Sequence, residues 1–352
     1  MCSLDHDGTL VNTHKHTNFQ GRGLWVYATL YEHLKKEEYL RIADKSRDFI
    51  LRFGCDELGN WVCTMDREGR VISPYNKTGY AAAFVAEGLQ AYAHATQHQE
   101  SMDLAISILK KTWEQFNDPR RHVARKYLPL SYPGMRTLAS HMVMIRNLTQ
   151  ILGTYDAPDL ARLSDEIVDR IVNCFWNPEH ELMNEVLDHE YRCRDDANKD
   201  FFYLGHAIET LWMLLDEALR RKDQGLFDLV AHRFRRHLEM SWDHEYGGFF
   251  CATRLHGCYE PDKYLWVQEE ALVGCMLLME HTTQDWPREW FEKTFEYVEE
   301  KFSLKPYGYP LYIHSGDREV TFQPHVARKE NYHHPRRLIL NISTLNRMIE
   351  QV

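Results

Sequence analysis

The chain has 352 residues, enough for one large domain with a substantial core. Its 44% hydrophobic and 12% aromatic content excludes a disordered chain, which would be poor in aromatics. A formal charge of −10 without any Lys/Arg run excludes non-specific nucleic-acid binding, and no segment approaches the roughly 18 consecutive apolar residues that span a bilayer.

The opening residues, Met1 to His6, are polar and acidic and do not resemble a signal peptide. They lead into LDHDGTLVNT, which reads as a hairpin. From there helical periodicity dominates. Apolar residues recur at three- and four-residue spacing over Gln20–Lys36, Glu38–Phe53, Thr78–Thr96, Ser101–Phe116, Arg136–Thr154, Asp159–Cys174, Leu204–Arg221, Gln224–Met240, Leu265–Glu280, Pro287–Phe302 and Pro335–Glu350. Three segments alternate apolar and polar residues around a polar turn and predict β-hairpins: Asn60–Val71, Glu181–Arg192 and Glu245–Cys258. The recurring unit is two helices and a hairpin-like connection. Lys15 and Lys263 each stand five residues before a glutamine, Gln20 and Gln268, that opens a helix, as in an internal repeat. Helix-pair repeats closed into a ring make an all-α (α/α)6 barrel with short hairpins at one end. A six-pair ring needs twelve helices, so the odd one is expected before residue 1. No linker rich in Gly, Pro or Ser divides residues 1–352, which predicts one domain. The eight cysteines are scattered without a CxxC, the pattern of reduced thiols in a cytoplasmic protein.

Four clusters carry candidate chemistry. In Gly205–Glu209, His206 and Glu209 lie three apart and share a helix face, so the carboxylate can orient the imidazole; the plainer alternative is a structural ion pair. In Asn331–Arg336, His333 and His334 precede Pro335, a residue that favours a helix start, and so are expected just before the helix. Gln20–Trp25 sets Arg22 near Trp25, a fork of donors beside an indole that suits a polyol, unless Trp25 is simply core. Trp266 and Glu270 lie four apart and offer an aromatic platform with a carboxylate, unless Glu269 and Glu270 are a solvated pair. No phosphate-binding GxxxxGK[ST], no HExxH and no recognisable ligand spacing occurs, so neither cofactor nor metal is expected.

At these motifs the sequence resembles the N-acylglucosamine 2-epimerase superfamily. The family pattern QGR-x-x-W matches Gln20–Trp25, and GHxxE matches Gly205–Glu209. W-D-x-x-x-GG-[FY] matches Trp242, Asp243, Gly247, Gly248 and Phe249. K-x-x-W-x-Q-x-E matches Lys263–Glu270, and aromatic-H-x-P-R matches Tyr332, His333, Pro335 and Arg336. The resemblance implies an (α/α)6 barrel, often dimeric, so a homodimer is among the assemblies it allows. It implies His206 and His333 as catalytic histidines, Glu209 as the carboxylate paired with His206, and Arg22 near the substrate oxygens. It implies Glu185 as a further site glutamate, with Trp25, Trp266, Glu270 and Arg336 toward the substrate. The partner is then a small-molecule sugar. The chain departs from the pattern at Asn18, where the family often has tryptophan, and Leu138–Asn147 lacks the look of cellobiose 2-epimerases, which argues against a disaccharide.

The expected reaction is 2-epimerisation of an N-acylhexosamine or free aldose. One histidine removes the C2 proton of the open-chain sugar and the other returns a proton to the enediolate. An imidazole with an unperturbed pKa of about 6.5 can do both near neutrality. An aldose–ketose isomerase shares the enediolate and protonates C1. A glycoside hydrolase would need two carboxylates, drawn from Glu185, Glu209, Glu269 and Glu270, and a binding protein would need no chemistry.

Overall fold

The computed structural model describes residues 2–350 apart from 3, 6, 7, 58, 76–78, 123, 124, 126, 256, 257, 261, 303–327, 330 and 331. Among the described residues there are eleven α-helices: α1 (Thr17–Leu34), α2 (Glu37–Phe53), α3 (Tyr80–Thr96), α4 (Gln99–Asn117), α5 (Leu138–Leu152), α6 (Pro158–Asp169), α7 (Leu204–Arg221), α8 (Gln224–Ser241), α9 (Leu265–His281), α10 (Trp286–Lys301) and α11 (His333–Glu350). Each expected helix is present. They belong to two compact units, one holding α1–α4 and the other α5–α11.

In the first unit α1 packs against α3, with α2 on α1 and α4 on α3. The two central helices meet through glycine. A Cβ on Gly21 would collide with the Phe84 carbonyl, and one on Gly88 would approach the Gly21 carbonyl oxygen at 2.5 Å. α3 is buried almost without interruption from Ala81 to Gln90, whereas α2 buries only Ala43 and Ile50. That is the contrast between a helix covered on all sides and one with a single apolar stripe. The strand Val62–Met65 forms a hairpin with Val71–Tyr75 and also pairs with Lys15–His16, as Asn60–Val71 predicts.

The second unit repeats the alternation. α5, α7, α9 and α11 pack in succession, and α6, α8 and α10 each lie against the preceding helix. Caps fix several starts: Thr137 Oγ1 accepts from the Ser140 amide ahead of α5, Asp223 accepts from the Leu226 amide ahead of α8, and Pro158 opens α6. The expected helix Asp159–Cys174 finishes as a π turn over Arg170–Cys174.

Three expectations need correction. Glu181–Arg192 is not a hairpin folded on itself. Leu182–Met183 pairs with Trp176–Asn177, and Val186–Leu187 pairs with Arg136–Thr137. Alternation reports which side chains are buried, not which strand is the partner. Likewise, Glu245–Cys258 contains only part of a hairpin, in which Thr253–Arg254 pairs with Cys258–Tyr259 and with Phe201–Phe202; positions 256 and 257 lie outside the described residues. The histidines expected before the last helix are inside it. α11 begins at His333, and Pro335 falls in its first turn, where no amide is needed. Asn331 lies outside the described residues.

Candidate active site

The site residues of the second unit come from the first two turns of α7, α9 and α11 and from the chain segments at Tyr127 and Glu185. Gly205 sits where α7 meets α9. A Cβ there would collide with the indole of Trp266, so glycine lets that ring lie against the start of α7. The Trp266 ring is nearly parallel to Tyr203, with centroids 6.3 Å apart. It stands 5.9 Å from the His206 ring and 5.6 Å from the His333 ring. One indole therefore borders both imidazoles.

Each imidazole is tied at Nδ1 to a buried carboxylate. His206 Nδ1 is 3.2 Å from Glu185 Oε2, and Glu185 Oε1 accepts from the Tyr127 hydroxyl at 2.9 Å. The Glu185 carbonyl accepts the Leu138 amide, which holds this glutamate at the head of α5. His333 Nδ1 is 2.8 Å from Glu270 Oε1. Glu270 also accepts from Trp212 Nε1 at 2.6 Å and from Arg336 Nη2 at 2.5 Å. A carboxylate can only accept here, so Nδ1 carries the proton in both rings.

The carboxylate expected beside His206 is a different one from that observed. Glu209 does not bond His206; its Oε1 accepts from Arg336 Nη2 at 2.7 Å. Helical spacing permits the His206–Glu209 contact, but a buried guanidinium offers a charge-assisted bond that the imidazole does not. Glu185, Glu270 and Arg336, expected toward substrate, are each at most 1% exposed and already bonded to protein groups. They hold the histidines. Glu269 and Glu270 are also not a solvated pair, since both are completely buried.

Glu209, Glu270 and His333 present ligand atoms within 4.8 Å of one another, a spacing that could hold a metal ion. Arg336 Nη2 already donates to both carboxylates, so a cationic group fills that position. A divalent ion would have to displace it.

Arg22 and Trp25 belong to the first unit, near the start of α1. Trp25 is buried there, and the Arg22 guanidinium lies 4.1 Å over the Phe84 ring. Two residues of the K-x-x-W-x-Q-x-E motif, Lys263 and Gln268, are structural rather than chemical. Lys263 Nζ donates to Asp243 at 2.8 Å and to the Gly247 carbonyl at 2.9 Å. The Gln268 amide bonds both the N–H and the carbonyl of Phe249. The W-D-x-x-x-GG-F loop is thereby fastened to α9, and Gly248, at φ +75°, leaves no room for a Cβ beside Tyr297. Tyr127 and Tyr203, which flank His206, had no motif to announce them; Tyr127 stands in a loop without periodicity.

The profile of the N-acylglucosamine 2-epimerase (GlcNAc 2-epimerase) family matches residues 1–335. The chain is 28% identical over 280 residues to a cellobiose 2-epimerase of Dictyoglomus turgidum, covering 72% of this chain and 67% of that protein. It is 24% identical over 333 residues to the N-acylglucosamine 2-epimerase of Bos taurus, covering 87% and 75%. Among solved structures, cellobiose 2-epimerase from Bacillus thermoamylovorans B4167 superposes with a TM-score of 0.82 at 19% identity, over 100% of this chain and 92% of that one. A D-mannose isomerase gives a TM-score of 0.80 at 16% identity, over 98% and 90%. These likenesses show the all-α (α/α)6 barrel fold. The class so defined is that of carbohydrate epimerases, enzymes of the isomerase type. The chain belongs to the N-acylglucosamine 2-epimerase family.

Proposed function

We propose that the protein inverts C2 of an N-acylhexosamine or free aldose by proton transfer between two histidines, His206 and His333. The observation that carries this reading is the shared geometry of the two rings: each borders Trp266 and each is anchored at Nδ1 by a buried carboxylate. One Nε2 takes the C2 proton of the open-chain sugar. The C–H electron pair moves into the C1–C2 bond and the carbonyl oxygen gains the charge. The second histidine, which enters the cycle protonated at Nε2, then returns that proton to the other face of C2. In this reading Trp266 forms the sugar platform.

Reprotonation at C1 instead of C2 would make the same site an aldose–ketose isomerase. The hydrolase reading has less support. Glu209 and Glu270 share one guanidinium, and Glu185 is engaged by His206 and Tyr127, so no pair of these carboxylates is placed to flank a glycosidic bond. Among the described residues no helix is long and apolar enough to cross a membrane, and the seven cysteines whose side chains are described are free, which supports a reducing compartment.

Proton NMR in D2O with N-acetylmannosamine, N-acetylglucosamine, mannose, glucose, fructose and cellobiose tests the reading. Deuterium is expected at C2 of at least one sugar together with its epimer. A folded protein that exchanges none of them contradicts it.

A further inference from the structure

The contact between α9 and α11 holds two His–Glu–Arg sets side by side. The first is His333, Glu270 and Arg336. The second is made of the neighbouring residues: Glu269 Oε1 is 2.8 Å from His334 Nδ1, and Glu269 Oε2 accepts from Arg337 Nε at 2.5 Å. Glu269 is completely buried and Arg337 is 6% exposed, while the His334 side chain is 21% exposed. None of these three is specified by a motif. Position 269 is an open position in K-x-x-W-x-Q-x-E, position 334 is open in aromatic-H-x-P-R, and Arg337 follows the end of that pattern.

We infer that Glu269, His334 and Arg337 form a positioning triad that fixes the ring of His333; this rests on the epimerase reading above. Successive residues of a helix point about 100° apart. A helix pinned along one line can roll about its axis, whereas one pinned along two such lines cannot. Glu270 grips α11 along the line of His333 and Arg336. Glu269 grips the same first turn along the line of His334 and Arg337. A roll of α11 would swing His333 Nε2 away from C2, and the second grip prevents it. Stability alone is a poor account of the triad, because well-packed apolar residues often replace buried ion pairs without loss. Orientation is what an apolar replacement would not supply.

The test uses the whole chain with two altered forms. His334→Asn leaves the Glu269–Arg337 pair in place. The triple form Glu269→Met, His334→Leu, Arg337→Met replaces the triad by apolar groups. Both are expected to fold, with kcat lowered about 10- to 100-fold and KM unchanged. The primary isotope effect of C2-deuterated substrate should rise for the epimer deprotonated by His333 and fall for the other, because only the His333 step is slowed. The His333 ring signals in 15N-histidine NMR should shift. Variants that are merely less heat-stable, with wild-type kcat, wild-type isotope effects and unmoved His333 signals, would overturn the triad. Absence of C2 exchange in the unaltered protein would count against the epimerase reading instead, and the His333 signals would still decide the triad.

Discussion

The two histidine–carboxylate pairs are built to one plan with different materials. Around His206 the carboxylate comes from a strand-like segment at Glu185, its second oxygen bonds the neutral hydroxyl of Tyr127, and the surroundings are aromatic: Tyr127, Tyr203 and Trp266. Around His333 everything stands on helices. Glu270 is shared with a guanidinium and an indole N–H, and a second carboxylate, Glu209, lies on the same guanidinium. The first pair is an isolated anion softened by a neutral donor. The second is a charge network whose members depend on one cation. The first should therefore respond to small changes in catalysis, and the second to changes in stability.

Arg336→Met gives the largest expected difference. It leaves Glu209 and Glu270 buried without their shared cation and should cost about 3–5 kcal/mol in urea unfolding. A loss below about 1 kcal/mol would mean that the two carboxylates are not held as charges. Tyr127→Phe removes one hydrogen bond to a carboxylate, a change of about 1.5 kcal/mol. Because Glu185 keeps His206, the effect should fall on catalysis as a roughly tenfold drop in kcat with little movement of Tm. A fall in Tm as large as that of Arg336→Met would erase the distinction between the two halves.

The smallest expected effect comes from a third kind of histidine. His237 Nδ1 donates to the Arg233 carbonyl at 2.8 Å, and its Nε2 accepts the Met183 amide at 3.0 Å, two residues before Glu185. Burial, helped by the nearby Arg236 and Arg233 charges and opposed by the Arg233 carbonyl, pushes its pKa down from 6.5 to about 4. His141, bonded to the Thr137 carbonyl, is pushed down to about 3, again chiefly by burial. In both cases the folded pKa lies below the unfolded one, so the unfolded chain takes up the proton first. Their contribution is complete above about pH 6.5 and is lost as the pH falls toward 4. Protonating His237 also sets an N–H against the Met183 amide, so acid should loosen the Glu185 segment and the His206 half before the other. Urea unfolding between pH 8 and 5 should show declining stability, whereas a flat profile would contradict the burial of neutral imidazoles at these positions.

The helices were legible because burial on one face imposes a 3.6-residue period, although starts moved by two or three residues, α1 to Thr17 from Gln20 and α11 to His333 from Pro335. There Pro335 marked the first turn rather than the first residue. The site was legible as a set of residues but not as a set of bonds. His206 and Glu209 are neighbours in sequence, yet the bonds go to Glu185 and to Arg336, 21 and 127 positions away respectively. Local spacing shows which contacts are possible, and tertiary competition decides which form. Tyr127 was invisible for a simpler reason: a loop residue that works through one hydroxyl leaves no period to read. Lys263 and Gln268 were legible as part of a repeat and a motif but not by their task, which is to clamp the Gly247–Gly248 loop.

The central claim is that two imidazoles serve the two faces of one carbon. It is tested most directly by His206→Asn and His333→Asn, assayed separately in D2O with each of the two epimers that the unaltered protein interconverts. Epimerisation should fall by roughly 10²- to 10⁴-fold in both variants. Each should still exchange the C2 proton of one epimer only, and the two variants should retain opposite epimers. If either variant still interconverts the epimers at the unaltered rate, or if both retain exchange of the same epimer, the two-histidine account is wrong.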